Sequence, residues 1–196
     1  KSVFSHLSVA DNPLENTFSF DQISKFKNMT AVMESSLNYN FLKHIANSAA
    51  ALNISESHFD MVRLGIGLYG LLKQHSNNLQ QVISLQSKIS QIKTINKGDS
   101  VGYGRNYKAT KTQTIAIIPV GYADGLRRSL SNGKWEFKIN DTLVPIIGNI
   151  CMDMCMINIT GLKCKVGDAV EIFGDNNSLF KMAEKLDTIP YEIISS

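Results

Sequence analysis

The first part of the chain alternates short apolar runs with stretches whose apolar residues recur at a helical spacing. The apolar runs are residues 3–7, 41–46 and 61–71. After the first run, a turn signal at residues 11–13 is followed by apolar positions that predict a helix: Phe20, Ile23, Phe26 and Met33. Short strands that alternate with helical patterns favour a parallel α/β arrangement.

From about residue 80 the pattern changes to short runs rich in β-branched residues, with turn residues between them. The predicted strands are 82–95, 112–120, 135–139, 143–147, 150–159 and 169–173. The isoleucines of 82–95 also fit a helical period, but the β-branched content favours a strand. Several short strands at this spacing indicate a compact β-barrel or sandwich. A brief helix is predicted at 179–186, before Pro190.

Composition narrows the classes of function. The 196 residues fit one domain, or one domain with part of another. The net charge is only +3 and the basic residues are scattered, which argues against nucleic acid and membrane surfaces as partners. No apolar run reaches the ~18 residues of a membrane span. Cys151, Cys155 and Cys164 are expected to be reduced thiols of a cytoplasmic protein, and no metal site is expected.

Two segments place a polar residue beside glycines, and each has a structural alternative. Tyr122 follows an apolar strand and lies between Gly121 and Gly125. A tyrosine acts as a base only where its neighbours favour the phenolate, and otherwise Tyr122 is an ordinary tyrosine at a strand end. Arg63 interrupts an apolar run, ahead of glycines whose N–H groups could meet an anion. The alternative for Arg63 is a structural ion pair.

Two further segments are equally open. Ser48, which follows His44 closely, could donate to a phosphate oxygen, but Asn47 or Ser48 could simply cap a helix. Asp153 interrupts a run of Met and Cys residues that could line an adaptable pocket, or it faces solvent from a core strand. No segment decides the function alone, whereas their order and joint presence do.

Taken together, seven motifs in this order resemble those of alanine racemases over essentially the whole chain. They are Ser5-His6-Leu7, residues 44–50, residues 61–70, Val101-Gly102-Tyr103-Gly104, residues 121–125, Cys151-Met152-Asp153 and residues 188–192. The resemblance implies a fold that is α/β plus all-β. Residues 1–75 would be the C-terminal remnant of a (β/α)8 barrel that binds pyridoxal 5'-phosphate, and residues 76–196 a small β-barrel or sandwich domain.

The resemblance also implies a role for individual residues. For catalysis, Tyr122 matches the base on one face of the substrate and His6 matches its hydrogen-bonding partner. For the cofactor, Arg63 matches the residue facing the pyridine nitrogen, His44 a residue near the ring, and the phosphate ligands are matched by Ser48, Gly65, Ile66 and Tyr191. For the substrate, the backbone N–H of Met152 would meet the carboxylate, and Asp153 would stand at the site entrance.

The implied activity is interconversion of L-alanine and D-alanine, which supplies D-alanine for peptidoglycan precursors. The working enzyme would be a homodimer whose subunits share their active sites. The family's cofactor-binding lysine is expected upstream of Lys1, so the chain by itself is expected to be inactive. A broader amino-acid racemase of the same fold, and a non-catalytic β-domain fragment that only self-associates, are the alternatives.

Overall fold

The computed structural model describes residues 1–72, 79–174 and 178–196. They belong to two compact units, Lys1–Val82 and Ile83–Ser196. The domain boundary predicted between residues 75 and 76 lies outside the described residues. None of the helices that the structure describes combines the length and the apolar character needed to cross a membrane.

The unit Lys1–Val82 is a parallel α/β arrangement, as the sequence pattern predicts. Strands β1 (Ser2–Phe4) and β2 (Leu42–His44) pair in parallel, and helix α1 (Asn16–Ser36) lies in the connection between them. Parallel strands require a long crossover, which α1 provides. Of the apolar positions that predicted α1, Ile23 and Phe26 are buried, Met33 is half-buried and Phe20 is exposed.

Helix α2 (Ser48–Asn53) begins directly after β2. The side-chain oxygen of Asn47 accepts the Ala50 N–H at 3.0 Å, so Asn47 caps this helix. Its Nδ2 donates to the carbonyl oxygen of Leu7 at 3.2 Å. The capping interpretation is therefore confirmed for Asn47, which also ties the end of α2 to the segment that follows β1.

The apolar run 61–71 does not form the strand that the sequence pattern indicates. It contains a single 3₁₀ turn, Ile66–Tyr69, and that turn is followed by Gly70, which has a φ of +74°. A Cβ at Gly70 would lie 1.9 Å from the carbonyl oxygen of Gln80, so only glycine fits there. Ile66 and Leu71 are buried, but most of the other apolar residues of the run are exposed, among them Leu64 and Leu68. The apolar pattern therefore predicted neither a strand nor a fully buried segment correctly.

The unit Ile83–Ser196 is built on a seven-stranded antiparallel sheet. In order of pairing, its strands are β3 (Leu85–Lys88), β11 (Ala169–Phe173), β8 (Glu136–Ile139), β9 (Thr142–Ile147), β10 (Cys155–Asn158), β7 (Gln113–Ile118) and β4 (Gln91–Ile95). A separate short pair consists of β5 (Ser100–Val101) and β6 (Tyr107–Lys108). The core contains fully buried residues from several strands, among them Phe137, Ile139, Ile146, Ile157 and Ile172.

The two end strands of this sheet, β3 and β4, are consecutive in the chain and separated only by Ile89 and Ser90. The Ile89 N–H donates to the carbonyl oxygen of Asp168, just before β11, whereas the Ser90 N–H donates to that of Ile117 in β7, the second strand from the other end of the sheet. The sheet therefore curls until its edges meet at these residues, which favours the barrel over the sandwich. The single strand predicted over 82–95 is in fact two strands, because the chain bends here to change its partner.

Other predictions hold in part. Asn140 and Asp141, a predicted turn, have φ values of 45° and 64° and join β8 to β9. Only the second half of the predicted strand 150–159 is a strand, because β10 begins at Cys155. Asp153 lies exposed in the turn before it rather than within a strand. Helix α3 (Leu179–Leu186) has its predicted bounds, and the unpredicted helix α4 (Pro190–Ile194) starts at the proline.

Candidate active site

Arg63 is the centre of a polar cluster at the ends of β1 and β2. Its Nη1 lies 2.8 Å from Nδ1 of His44 and 3.2 Å from the His44 carbonyl oxygen. Its Nη2 lies 2.8 Å from the Ser5 carbonyl oxygen and 3.1 Å from Nδ1 of His6. Within residues 1–72, 79–174 and 178–196, no carboxylate pairs with Arg63. Imidazole and carbonyl groups thus take the place of the structural ion pair that was the alternative interpretation.

The guanidinium of Arg63 fixes the proton position on both imidazoles. Arginine N–H groups can only donate, so Nδ1 of His44 and Nδ1 of His6 accept, and each ring carries its proton on Nε2. Nδ2 of Asn47 approaches Nε2 of His6 to 3.5 Å, but this longer contact competes with the shorter, charge-assisted one from Arg63. A neutral imidazole cannot accept at both nitrogens, so His6 offers an Nε2–H donor to its surroundings.

One donor of Arg63 is left over. A guanidinium has five N–H groups, and every side-chain hydrogen bond of Arg63 to a described residue comes from Nη1 or Nη2, including a 3.4 Å contact from Nη2 to the Ile45 carbonyl oxygen. The Nε–H has no acceptor among the residues that the structure describes. The ring of Phe4 lies 5.6 Å from the guanidinium carbon and stacks on His44. The cluster therefore presents a permanently charged, rigidly held donor.

Ser48 and the glycine-rich loop form a small polar cradle. The Ser48 hydroxyl oxygen accepts the N–H groups of Gly65 at 2.8 Å and Gly67 at 3.2 Å. A Cβ on Gly67 would lie 3.1 Å from the Cβ of Ser48, so this approach favours glycine. In the described part of the chain, the Ser48 hydroxyl proton and the Ile66 N–H have no acceptor. Both can therefore donate to an oxyanion.

Tyr122 occupies a tight turn that follows β7. The turn spans Tyr122–Asp124, and the Asp124 carboxylate accepts the Gly121 N–H at 2.9 Å. Gly125 ends the turn with a φ of +91°, a conformation that glycine adopts without strain. The Tyr122 side chain is 44% exposed, so a substrate or another protein chain can reach its hydroxyl.

A second turn, residues 151–154, holds the backbone of the Tyr122 turn. It is closed by the Cys151 N–H, which donates to the Met154 carbonyl oxygen at 2.8 Å. The carbonyl oxygens of Cys151 and Met152 accept the N–H groups of Tyr122 and Ala123, both at 3.0 Å. The Met152 N–H has no acceptor among the described residues and is free to bind an anionic group.

Tyr191 lies on α4, half-exposed, and the next residue anchors that helix. The Glu192 carboxylate pairs with Arg127 and accepts a hydrogen bond from the Thr188 hydroxyl. The Thr188 hydrogen bond, together with the charge of Arg127, holds the pKa of Glu192 below its usual range. Because Arg127 follows the Tyr122 turn closely, this pair connects α4 to that turn.

Two family models match the chain one after the other. The model described as "Alanine racemase, N-terminal domain" matches residues 1–73, and "Alanine racemase, C-terminal domain" matches residues 82–196. The second match alone covers more than half of the chain. The chain belongs to the alanine racemase family.

Similar proteins agree with this assignment. "Alanine racemase 1" of Caldanaerobacter subterraneus subsp. tengcongensis is 37% identical over 204 residues, which cover 100% of this chain and 52% of the relative. The alanine racemase of Clostridium difficile 630 in complex with cycloserine has a TM-score of 0.90 at 32% identity, covering 99% of this chain and 53% of that one. The chain therefore spans about half the length of the relatives it matches.

A third similar structure has a cofactor in its description. It is the alanine racemase of Bartonella henselae with covalently bound pyridoxal phosphate. Its TM-score to this chain is 0.84 at 32% identity, and the match covers 100% of this chain and 54% of that one. Both the sequence and the fold of this chain are thus similar to those of a protein that carries this cofactor.

The residues singled out by the alanine racemase resemblance fall into separate groups in the structure. The first unit brings together His6, His44, Ser48, Arg63, Gly65 and Ile66. The second unit brings together Tyr122, Met152 and Asp153 on two adjacent turns, with Tyr191 on α4. Each group lies within a single unit of the fold.

The sequence analysis did not identify the residues whose hydrogen bonds hold the segment before the Met152 turn in place. The buried Asn149 donates to the Tyr103 carbonyl oxygen at 2.8 Å and accepts from Asn132 at 3.1 Å. The Ser131 hydroxyl oxygen accepts the Ile150 N–H at 2.9 Å. These partners lie 17 to 46 residues apart in the chain, so no local pattern could reveal them. They do explain why the motif at Gly102-Tyr103-Gly104 belongs with the others.

Among the residues that the structure describes, no three His, Cys, Asp or Glu side chains are grouped so that they could hold a metal ion. Cys155 is buried, whereas Cys151 and Cys164 are half-buried. Burial, with a smaller effect from Cys151, raises the pKa of the Cys155 thiol to about 12. Burial and then Asp168 also raise the pKa of Cys164. The thiol of Cys155 is therefore chemically inert near neutral pH.

Proposed function

We propose that the protein carrying this chain is a pyridoxal 5'-phosphate-dependent alanine racemase that interconverts L-alanine and D-alanine. The observation that carries the proposal is the Arg63 cluster. An arginine held by two imidazoles, with one N–H to spare, suits a neutral ring nitrogen as its acceptor. The alanine racemases similar to this chain, one of them with covalently bound pyridoxal phosphate, support the same conclusion.

The residues present fit the cofactor at both of its ends. Arg63 would face the pyridine nitrogen, and His44 would lie near the ring. The Ser48 hydroxyl and the N–H of Ile66, both without acceptors in the described chain, would donate to the phosphate, beside Gly65. We propose Tyr191 as a further phosphate ligand on the basis of the family resemblance.

The bound cofactor would supply an electron sink for the negative charge left on the substrate's α-carbon. Arg63 would limit that sink, because its permanent charge disfavours protonation of the pyridine nitrogen. A weaker sink keeps the carbon basic and favours return of the proton. We infer that Arg63 directs the chemistry toward racemisation.

Tyr122 would act as the acid and base on one face of the substrate. A tyrosine needs donors around its oxygen to ionise near neutral pH, since its reference pKa is about 10. The Nε2–H of His6, fixed by Arg63, is a donor of that kind. The second base would be the cofactor-binding lysine, which the resemblance places outside these residues, so we propose that the chain by itself is inactive.

Met152 and Asp153 would receive the substrate. The free N–H of Met152 can bind the carboxylate of alanine, and Asp153 stands exposed beside it. The phenol of Tyr122 and the N–H of Met152 lie on adjacent turns, and both residues are exposed, so one substrate can meet both groups. A broader amino-acid racemase of the same fold is the second candidate, because the size of the side-chain pocket separates the two activities and the residues of this chain set it only in part.

We propose further that the enzyme is a cytoplasmic homodimer with shared sites, in which the partner subunit's Tyr122 and the partner's Met152 serve the Arg63 cluster of the first subunit. Its D-alanine would supply peptidoglycan precursors. Residues 1–75 would be the end of a (β/α)8 barrel, and residues 76–196 the β domain. The parallel βαβ unit and the curled antiparallel sheet support this division.

The decisive experiment is Tyr122→Phe in the intact enzyme. We expect exchange of the α-hydrogen with deuterated water to fall far more for one enantiomer of alanine than for the other, because only one face loses its base. The two exchange rates are measured by mass spectrometry. Tyr39→Phe is a matched control, since Tyr39 is also exposed and lies outside the seven motifs and the proposed roles. A small and equal loss for both enantiomers in Tyr122→Phe would remove Tyr122 from this role.

A further inference from the structure

The two turns that carry Tyr122 and Met152 meet at a place where only glycine fits. A Cβ at Gly121 would lie 2.2 Å from the Met152 carbonyl oxygen and 2.4 Å from the Cys151 carbonyl oxygen. Its φ of −140° is ordinary extended backbone, so contact alone requires glycine here. Both atoms belong to main chain that is tied down at either end, and neither can rotate away as a side chain would.

A single peptide group connects the backbone of Tyr122 to the Met152 N–H, which we propose donates to the substrate carboxylate. The peptide between Cys151 and Met152 uses its carbonyl oxygen to accept the Tyr122 N–H at 3.0 Å. In a trans peptide the C=O and the N–H point in opposite directions. The bond to Tyr122 therefore aims the Met152 N–H away from the Tyr122 backbone and fixes its direction.

Gly121 itself is held firmly within its own turn. Its N–H donates to the Asp124 carboxylate at 2.9 Å, and its carbonyl oxygen accepts the N–H groups of Asp124 at 3.1 Å and Leu126 at 3.2 Å. A group added at Gly121 consequently pushes against the two peptide groups on either side of Met152, Cys151–Met152 and Met152–Asp153.

We propose that Gly121 is a positioning residue that sets the distance and direction between the Tyr122 hydroxyl and the Met152 N–H. This inference rests on the proposed function and specifies how the two substrate-facing groups are kept in register. A substitution at Gly121 should therefore alter both the binding of the substrate carboxylate and proton transfer at Tyr122. It should leave the Arg63 cluster, which lies in the other unit, unchanged.

The test is Gly121→Ala in the intact enzyme loaded with pyridoxal phosphate. We expect kcat/KM for alanine to fall about 100-fold, as for a reacting group misplaced by about 1 Å. The inhibition constant of propionate, which is alanine without its amine, should rise, and the cofactor absorbance should stay that of the parent enzyme. A folded variant with parental kcat/KM and propionate binding would overturn the proposal.

Gly174→Ala is the matched control. A Cβ there would lie 2.6 Å from the carboxylate of Glu171, but this is the end of a side chain that can move aside. We expect parental kinetics from this variant. A loss equal to that of Gly121→Ala would overturn the proposal, because the effect would then follow from any crowded glycine in this unit.

A second pair of variants decides the matter if Gly121→Ala does not fold. Asp124→Ala releases the Gly121 N–H without adding volume, whereas Asp124→Asn keeps an oxygen that can accept it. We expect Asp124→Ala to lower kcat/KM and Asp124→Asn to restore it, and equal activities would overturn the proposal. If the unmodified enzyme does not racemise alanine, the proposed function fails instead, before any variant is compared.

Discussion

At the scale of single residues, the Arg63 cluster is the most informative feature. The sequence motifs indicated that Arg63, His44 and His6 belong to one site, but they left an ion pair as the alternative. The structure supplies the detail that chemistry needs, which is the direction of each hydrogen bond. Because arginine cannot accept, one side chain determines the tautomers of two others.

Replacing Arg63 by lysine should destabilise the unit Lys1–Val82. An ammonium cannot reproduce the planar fork, so the Ser5 carbonyl oxygen loses its donor while the His44 carbonyl oxygen keeps only the Ser5 N–H, and a buried group left unpaired costs about 1–3 kcal/mol. Hydrogen exchange of the β1 and β2 amides measures the loss. Arg127→Lys, at an exposed ion pair, is the control and should change little. Unchanged exchange in Arg63→Lys would contradict the assigned network.

The raised pKa of the buried Cys155 thiol predicts that the chain loses stability at alkaline pH. Its folded pKa, about 12, lies above the ordinary thiol value of 9.0, so its contribution is complete below pH 9 and is lost as the pH rises toward 12. Ionisation of the unfolded thiol should lower the free energy of unfolding by about 1 kcal/mol at pH 10. The buried Trp135 reports unfolding in urea by its fluorescence.

The comparison for this prediction is between pH 7 and pH 10 within each variant. Cys155→Ala should lose less stability over this interval than the parent chain, and Cys164→Ala, at a half-buried site, should behave more like the parent. Equal losses in Cys155→Ala and the parent would show that another group causes the alkaline effect.

At the scale of elements, the local sequence pattern predicted whether a segment is a helix or a strand better than it predicted where the segment begins and ends. The helix at Leu179–Leu186 and the strands β7, β8, β9 and β11 follow from the apolar and β-branched runs. The run 61–71 failed because close backbone approach at Gly70 outweighs the strand propensity of its neighbours. The predicted strand over 82–95 failed because its ends pair with different strands, which only the closed sheet can decide.

Helix α2 offers a test of how an element is anchored. Asn47→Ala removes the cap from the Ala50 N–H and the bond to Leu7, and a lost cap of about 1 kcal/mol should speed amide exchange at Ala50 about five-fold. Asn47→Asp keeps the capping oxygen and loses only the donor, so exchange at Ala50 should remain near that of the parent. Equal acceleration in both variants would place the anchor at Leu7 rather than at the cap.

At the scale of the whole molecule, the proposed groups are divided between two units of the fold, and the proposed enzyme reunites them across a dimer. That arrangement predicts complementation between inactive variants. A hybrid of one Arg63→Ala subunit and one Tyr122→Phe subunit would contain one site with both residues intact. We expect a 1:1 mixture, refolded together, to recover about a quarter of the parental racemase activity.

The control for complementation combines two variants of the same group, Arg63→Ala and His44→Ala. Each site of that hybrid carries one defect, so no activity should return. Recovery in the control, or none in the Arg63→Ala and Tyr122→Phe mixture, would show that the sites are not shared in this way.

The sequence by itself determined which family the chain resembles, its division into an α/β part and a β part, and the residues worth testing. Those features depend on residue type and local spacing, which are written along the chain. Only the tertiary structure decided which acceptors the Nη1 and Nη2 groups of Arg63 contact, where the sheet closes, and that only glycine fits at residue 121 against the peptide groups on either side of Met152. These depend on atoms distant in sequence that meet within a few ångströms, and no local pattern encodes such meetings.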